Sequence, residues 1–331
     1  MFRRILVPMD GSEHGVEALR AAVILAQHTG AELLTLYVRP DSRSIEEANA
    51  DAETEARIQH TVNELCDGSV RVNSIFATGK PQDGILAAIW EQHPSLVILY
   101  LHNRHGLEAL RRPSTTFALI ERARVPLLIW PGVMNPQARD EWLTDTRSAV
   151  IVPLDGSKLA EQATPTAETF ARTFSIPLLL FRAIPPVVMP GIGFHIAQFE
   201  RQALTAEEHA ALHYLREIRR NLSRTSGAPI ETMIGAGDPS AAILDLAGSH
   251  PGSLIVMSTR GRSGFTRLLL GSVTFEVLHR THVPVVLVPS HQYALAPEPQ
   301  IAKEQVFAPD SLLELGNAKP ILADIDGNTL E

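Results

Sequence analysis

The chain has 331 residues, 45% of them hydrophobic, with a formal net charge of −8 and a single cysteine, Cys66. That length and apolar content suit two globular domains and exclude an internal disulfide framework. No apolar run approaches the roughly 20 residues of a membrane-spanning helix, and no basic stripe lines up for nucleic acid.

From the amino end, Arg4 to Met9 is a β-type run closing on Asp10-Gly11-Ser12. Ser12 is placed to cap a helix from about Glu13 to His28, which stops at Gly30, a residue suited to a left-handed cap. The opening MFRRILVPMDG has too short an apolar stretch for a secretory signal, so the expected location is the cytoplasm. A second strand follows in AELLTLYV from Ala31, then a polar helical stretch and a third strand. The turn Thr78-Gly79-Lys80-Pro81 leads into another helix. A fourth strand is SLVILYL from Ser95, and a fifth is VPLLIW from Val125. The segment from Pro131 to Thr146 is polar and Pro-rich and reads as a linker.

The same order then recurs. VPMDGS from Val7 returns as VPLDGS from Val152, TGKP as AGDP from Ala236, and VPLLIWPG as VPVVLVPS from Val283. The offset is 145 residues at the first pair and 158 at the other two, which places one insertion of 13 residues in the second copy. A period this long means duplicated domains. In the second copy Ala149 to Leu154 is the first strand and Ser157 the helix cap, and Pro165 is expected to kink the helix that follows. The insertion falls in AIPPVVMPGIGFHIAQFERQALTAEE, which reads as an irregular loop over the sheet edge. The fourth strand is SLIVMST from Ser253. Strands alternating with helices imply right-handed crossovers and a parallel sheet covered on both faces.

The expected architecture is therefore α/β: two tandem doubly wound five-stranded parallel sheets. Residues 1–133 form a first domain, 134–147 a linker, 148–290 a second domain, and 291–331 an acidic tail. The tail shows no sustained periodicity and reads as mobile, with a short hairpin near Asp326-Gly327.

Ligands of such sheets bind beyond the carboxyl ends of the strands, where crossovers change direction. In the second half that places Asp155 opposite the loop Ser258 to Leu278. Gly271-Ser272-Val273-Thr274 opens the last helix with backbone N–H groups, the positive end of a dipole and two hydroxyls, all suited to a phosphate. Arg260, Arg262 and Arg267 add charge nearby.

These residues give the chain its resemblance to the universal stress protein family in tandem form, over roughly residues 1 to 290. The family's nucleotide signature is Gly, two residues, Gly, nine residues, then Gly-Ser or Gly-Thr. Here Gly261, nine residues, Gly271 and Ser272 match it, while Ser258 replaces the first glycine. The resemblance implies an adenine nucleotide alpha hydrolase-like fold and ATP, with or without Mg²⁺, as the cofactor. It places Pro153, Leu154, Asp155 and Ala183 around adenine and ribose. Met257, Ser258, Gly261, Arg262, Gly271, Ser272, Val273 and Thr274 would surround ribose and phosphates. It also implies that the fifth strands pair, either within one chain as a pseudo-dimer or between two chains.

The first half departs from this pattern. Gly261 corresponds to Asn103, Gly271 to Pro113, Ser258 to Tyr100 and Ser272 to Ser114. Proline removes a donor N–H and Tyr100 brings a ring where backbone should approach the ligand, so this half is expected not to bind ATP in the family manner.

Other motifs read as ordinary structure. Loop glycines and Gly-Ser helix starts are themselves common packing features, and the arginines near 260 also suit a solvated face. His209 and His213 lack the glutamate of a zinc protease motif, and His102 and His105 have no carboxylate or cysteine at ligand spacing. Gly79-Lys80 runs into Pro81 rather than forming a Walker loop, and Gly191-x-Gly193 and Gly235-x-Gly237 lack a third glycine. The stretch Leu322 to Thr329 resembles a haloacid-dehalogenase strand but leaves no chain for the rest of such a domain. No general base, nucleophile or metal-ligand set stands out, so the expected function is ATP-dependent regulation, with the tail meeting an unidentified protein partner. A slow ATPase or autokinase and a purely structural protein are the alternatives.

Overall fold

The computed structural model describes residues 2–40, 44–101, 115–134, 136–144, 146–185, 195–224, 226–259 and 270–290. The first half runs β1 (Arg4–Met9), α1 (Glu13–Thr29), β2 (Glu32–Arg39), α2 (Ile45–Cys66), β3 (Val72–Thr78), α3 (Pro81–Gln92), β4 (Leu96–Tyr100), α4 (Thr115–Arg122) and β5 (Leu127–Trp130). Helix α5 (Pro136–Leu143) follows. The second half runs β6 (Val150–Pro153), α6 (Lys158–Glu161), α7 (Thr164–Phe174), β7 (Leu178–Ile184), α8 (His195–Leu222), β8 (Ile230–Ala236), α9 (Pro239–Gly248), β9 (Leu254–Ser258), α10 (Ser272–Arg280) and β10 (Val285–Val288).

The two expected five-stranded sheets join into one sheet of ten, in the order β3-β2-β1-β4-β5-β10-β9-β6-β7-β8. Strands within each half pair in parallel. At the seam β5 and β10 pair antiparallel, with Val286 opposite Leu128 and Val285 opposite Ile129. Both seam strands, LLIW and VVLV, are buried along their whole length. Left as edges they would expose a row of unpaired backbone groups on an apolar ribbon, and the pairing removes both edges at once. Of the two pairings left open by the sequence, the one within the chain is formed.

Each face of the sheet carries one core drawn from both halves. Val7, Leu128, Val150 and Val286 lie in one, and Leu6, Ile129, Ile151 and Val285 in the other. Phe2 meets Phe170 at 4.8 Å and His28 meets Phe174 edge-on at 5.3 Å, so helices of the two halves also touch directly.

Local chemistry follows the sequence at most element ends. Ser12 and Ser157 accept from Gly15 and Ala160 as caps, and Gly30 closes α1 in the left-handed region at φ 69°. Three segments differ from expectation. Pro165 does not kink a continuous helix: α6 ends at Glu161 and α7 starts afresh, with the proline in its first turn, where no N–H is required. Thr164 Oγ1 donates to the Glu161 carbonyl across the break at 2.8 Å. The linker contains α5, because Ala138 and Trp142, four residues apart, give it a buried face. Trp142 is 1% exposed, donates from Nε1 to the Ser253 carbonyl at 3.3 Å, and packs edge-on against Trp130 and Phe174. Finally, the insertion is not all loop: α8 begins at His195 and runs 28 residues. The first residues of the insertion, Ala183 and Ile184, close β7, while residues 186–194 and the expected tail hairpin lie outside the described residues.

Candidate functional site

In both halves the first strand lies between the second and the fourth, so crossovers diverge there and a crevice opens at the carboxyl ends. In the second half β6 and β9 are neighbours, with Val150 opposite Leu254 and Ile151 opposite Ile255. On the other side of β6, Leu154 extends the pairing with β7 by donating its N–H to the Phe181 carbonyl at 2.7 Å. Asp155 then turns the chain: its Oδ1 accepts from Ser157 N at 2.9 Å and from Ser157 Oγ at 2.6 Å. Gly156 sits at φ 89°, a conformation that favours glycine. Asp10, Gly11 and Ser12 build the same turn in the first half.

Across the crevice, Gly271 N donates to the Thr259 carbonyl at 2.9 Å and Thr259 N to the Val288 carbonyl at 3.0 Å, which ties the start of α10 to the end of β9. Gly271 caps α10 with φ −69° and no side-chain hydrogen bond. Helices α1, α2, α6 and α9 are each capped by a side chain, from Ser12, Ser44, Ser157 and Asp238, whereas α3 and α7 lack such a cap, as α10 does, but carry a proline in the first turn. Among the described residues, the first N–H groups of α10 thus have no side-chain cap and no proline in place of a donor.

The structure thus brings Pro153, Leu154, Asp155, Ser258, Gly271, Ser272, Val273 and Thr274 to the ends of two adjacent strands, with Ala183 on the next strand, β7. They are not equally available. Pro153, Ala183 and Val273 are half-buried and Ser272 is exposed. Met257 and Leu154 point their side chains into the two cores and offer backbone only. Thr274 is 3% exposed and its hydroxyl donates to the Ser258 carbonyl, so of the two hydroxyls expected at the helix start only Ser272 is presented outward. Gly261 and Arg262, with Arg260 and Arg267, lie outside the described residues. Among the described residues no group of three His, Cys, Asp or Glu could hold a metal.

Sequence reasoning missed Arg182, Tyr214 and Glu161. Arg182 lies in β7, two residues before its end, and lays its guanidinium on the Asp155 turn: a Cβ on Gly156 would meet its Nη1 at 3.3 Å. Tyr214 reaches in from α8, with its ring 5.3 Å from the Arg182 guanidinium carbon and its hydroxyl donating to Glu161 Oε1 at 3.3 Å. Burial first, then the carboxylates of Glu161 and Asp155, push the Tyr214 phenol well above its ordinary range, so it stays protonated and donates. A signal existed for Arg182, the lone charge in the apolar strand LLLFRAI. Tyr214 had none beyond its place beside the helical spacing of Ala211, Leu215 and Ile218.

The first half fills the equivalent place differently. Tyr100 stacks on His14 with ring centroids 4.6 Å apart and planes 2° from parallel, and its hydroxyl donates to the Gly132 carbonyl at 3.3 Å. Burial, then Glu17 and Asp10, raise the Tyr100 pKa. A cleft of about 1210 Å³ opens beside it, lined by Asp10, Leu36, Val38, Leu99 and Phe117 and reached from the second half by Arg280. Asn103, Pro113 and Ser114, with His102 and His105, lie outside the described residues.

The profile of the Universal stress protein family matches twice, over residues 1–131 and 146–289. A universal stress protein of Mycobacterium tuberculosis (strain ATCC 25618 / H37Rv) is 26% identical over 223 residues, 66% of this chain and 68% of its own length. Universal stress protein E of Escherichia coli (strain K12) is 21% identical over 322 residues, 88% of this chain and 96% of its own. Among solved structures, a universal stress protein from Archaeoglobus fulgidus DSM 4304 shares the fold with a TM-score of 0.60 at 18% identity, over 87% of this chain and 96% of that one. No helix among the described residues is long and apolar enough to cross a membrane. With two family matches that together span most of its length, the chain belongs to the universal stress protein family, in a tandem form that carries two copies of the domain.

Proposed function

We propose that this chain is an ATP-binding regulatory module of the stress response, with one nucleotide in the second domain (148–290). The first domain (1–133) holds none, or holds one weakly. The observation that carries the reading is the uncapped start of α10 at Gly271, set across the crevice from the Asp155 turn on the neighbouring strand. Backbone donors at a helix start suit phosphates, and a carboxylate at the strand end suits ribose hydroxyls. In the first half the Tyr100 ring, stacked on His14, stands at the end of the fourth strand where the second half has Ser258. Mg²⁺, where it takes part, would come with the phosphates. Occupancy would be read out through residues 291–331, the acidic segment, by a protein partner.

Calorimetric titration of the full chain with ATP tests this reading, and one site per chain is expected. Gly271→Asp should weaken binding at least about tenfold without lowering the unfolding temperature, because aspartate caps α10 while repelling a phosphate. No heat of binding, two equal sites, or an unchanged affinity in the variant would overturn it.

A further inference from the structure

Arg182 has no hydrogen-bond or ion-pair partner among the described residues, although it is half-buried and sits directly on the turn that presents Asp155. One carboxylate of the cluster is already engaged: Glu161 takes the Tyr214 hydroxyl on Oε1 and Lys158 Nζ, at 2.8 Å, on Oε2. Asp155 Oδ1 is taken by Ser157. What Arg182 does have is a backing, the ring of Tyr214, itself fixed by its bond to Glu161. A guanidinium held by a ring on one side, its planar fork of donors unused, is a ready receptor for an anion that accepts two hydrogen bonds.

Its position decides which anion. The strands run β9, β6, β7 across the sheet, and their carboxyl ends carry in turn the α10 start, Asp155 and Arg182. Two donor poles therefore flank one carboxylate, separated by two strand spacings, on the order of 10 Å. A ligand whose 5′-phosphate sits on α10 and whose ribose meets Asp155 directs its far side toward Arg182.

We propose that the second-domain crevice takes adenosine nucleotides carrying a second phosphate on the ribose, at the 2′ or 3′ carbon, and that Arg182 holds that second phosphate. This rests on the nucleotide reading given above. The same chemistry distinguishes dinucleotide sites in which an acidic residue meets a ribose hydroxyl from those in which an arginine donates to a ribose phosphate. Here both groups are present side by side.

The test is calorimetric titration of the full chain with AMP, adenosine 2′,5′-bisphosphate and adenosine 3′,5′-bisphosphate. At least one bisphosphate should bind about tenfold more tightly than AMP. Arg182→Met should remove that preference and leave AMP affinity within about twofold, while Arg182→Lys, which keeps the charge, should retain part of it and control for folding. The proposal is overturned if neither bisphosphate exceeds AMP. It is also overturned if the methionine variant loses AMP and bisphosphate equally, which would mark Arg182 as packing for the Asp155 turn. A chain that binds none of the three, AMP included, refutes the nucleotide reading as well.

Discussion

Thr274 donates its hydroxyl to the main-chain carbonyl of Ser258 at 3.3 Å, and 158 residues earlier Thr116 donates to the carbonyl of Tyr100 at 3.4 Å. Both copies thus seat the helix after the fourth strand with the same bond, whether or not the loop between keeps its glycines. Seating the helix therefore does not depend on the glycines of the loop.

Removing the seat in the second half should therefore cost stability first. Thr274→Val keeps the shape of a 3% exposed side chain but removes the hydroxyl's bond to the Ser258 carbonyl. A loss of about 1 kcal/mol is expected by denaturant unfolding. Affinity for ATP should fall with it, as the α10 start loses its fixed position. An unchanged unfolding midpoint would show that the bond contributes nothing.

The most damaging single truncation outside the crevice should be Trp142→Ala. It empties a site packed against Trp130, Phe174 and the Arg147 guanidinium, the last 4.5 Å from the Trp142 ring, and removes the donor to Ser253. Truncation of a fully buried aromatic costs about 3–5 kcal/mol. Because α5 bridges the halves, also through Arg139 and Glu17 at 2.9 Å, the variant should unfold less cooperatively. Differential scanning calorimetry would register this as a second, separated transition, and a single sharp one would contradict it.

Alkaline pH should destabilise the fold through its tyrosines. Tyr214 titrates at the ordinary 10.0 when unfolded, whereas burial and then Glu161 hold its proton in the fold. Above pH 10 the unfolded chain therefore binds fewer protons than the folded one, so stability is full below that pH and falls as pH rises. Tyr214→Phe should flatten this decline between pH 9 and about 11, measured as the unfolding midpoint against pH. An equally steep decline in the variant would assign the effect elsewhere.

Much of the fold was written in local patterns. VPMDGS and VPLDGS announce a strand, an aspartate turn and a serine cap, and both copies form all three because each rests on neighbours within a few residues. Gly30 ends α1 for the same kind of reason. The α5 helix was legible in principle from Ala138 and Trp142, but the prolines and acidic residues around them outweighed two apolar positions. The aspartate turn and the Gly271 helix start were found in the same way, by spacing to nearby glycines.

By itself the sequence determined the duplication, the alternation of strands and helices, and the two Asp-Gly-Ser turns, because turn, cap and period are interactions over a few residues. Only the tertiary structure decided that the two sheets become one through Leu128 and Val286, that Thr274 spends its hydroxyl inward on Ser258, and that Arg182 and Tyr214 meet at the Asp155 turn. Those contacts join residues brought together by strand order and packing, and their energy comes from burial and hydrogen bonds between distant parts of the chain, on which local propensity is silent.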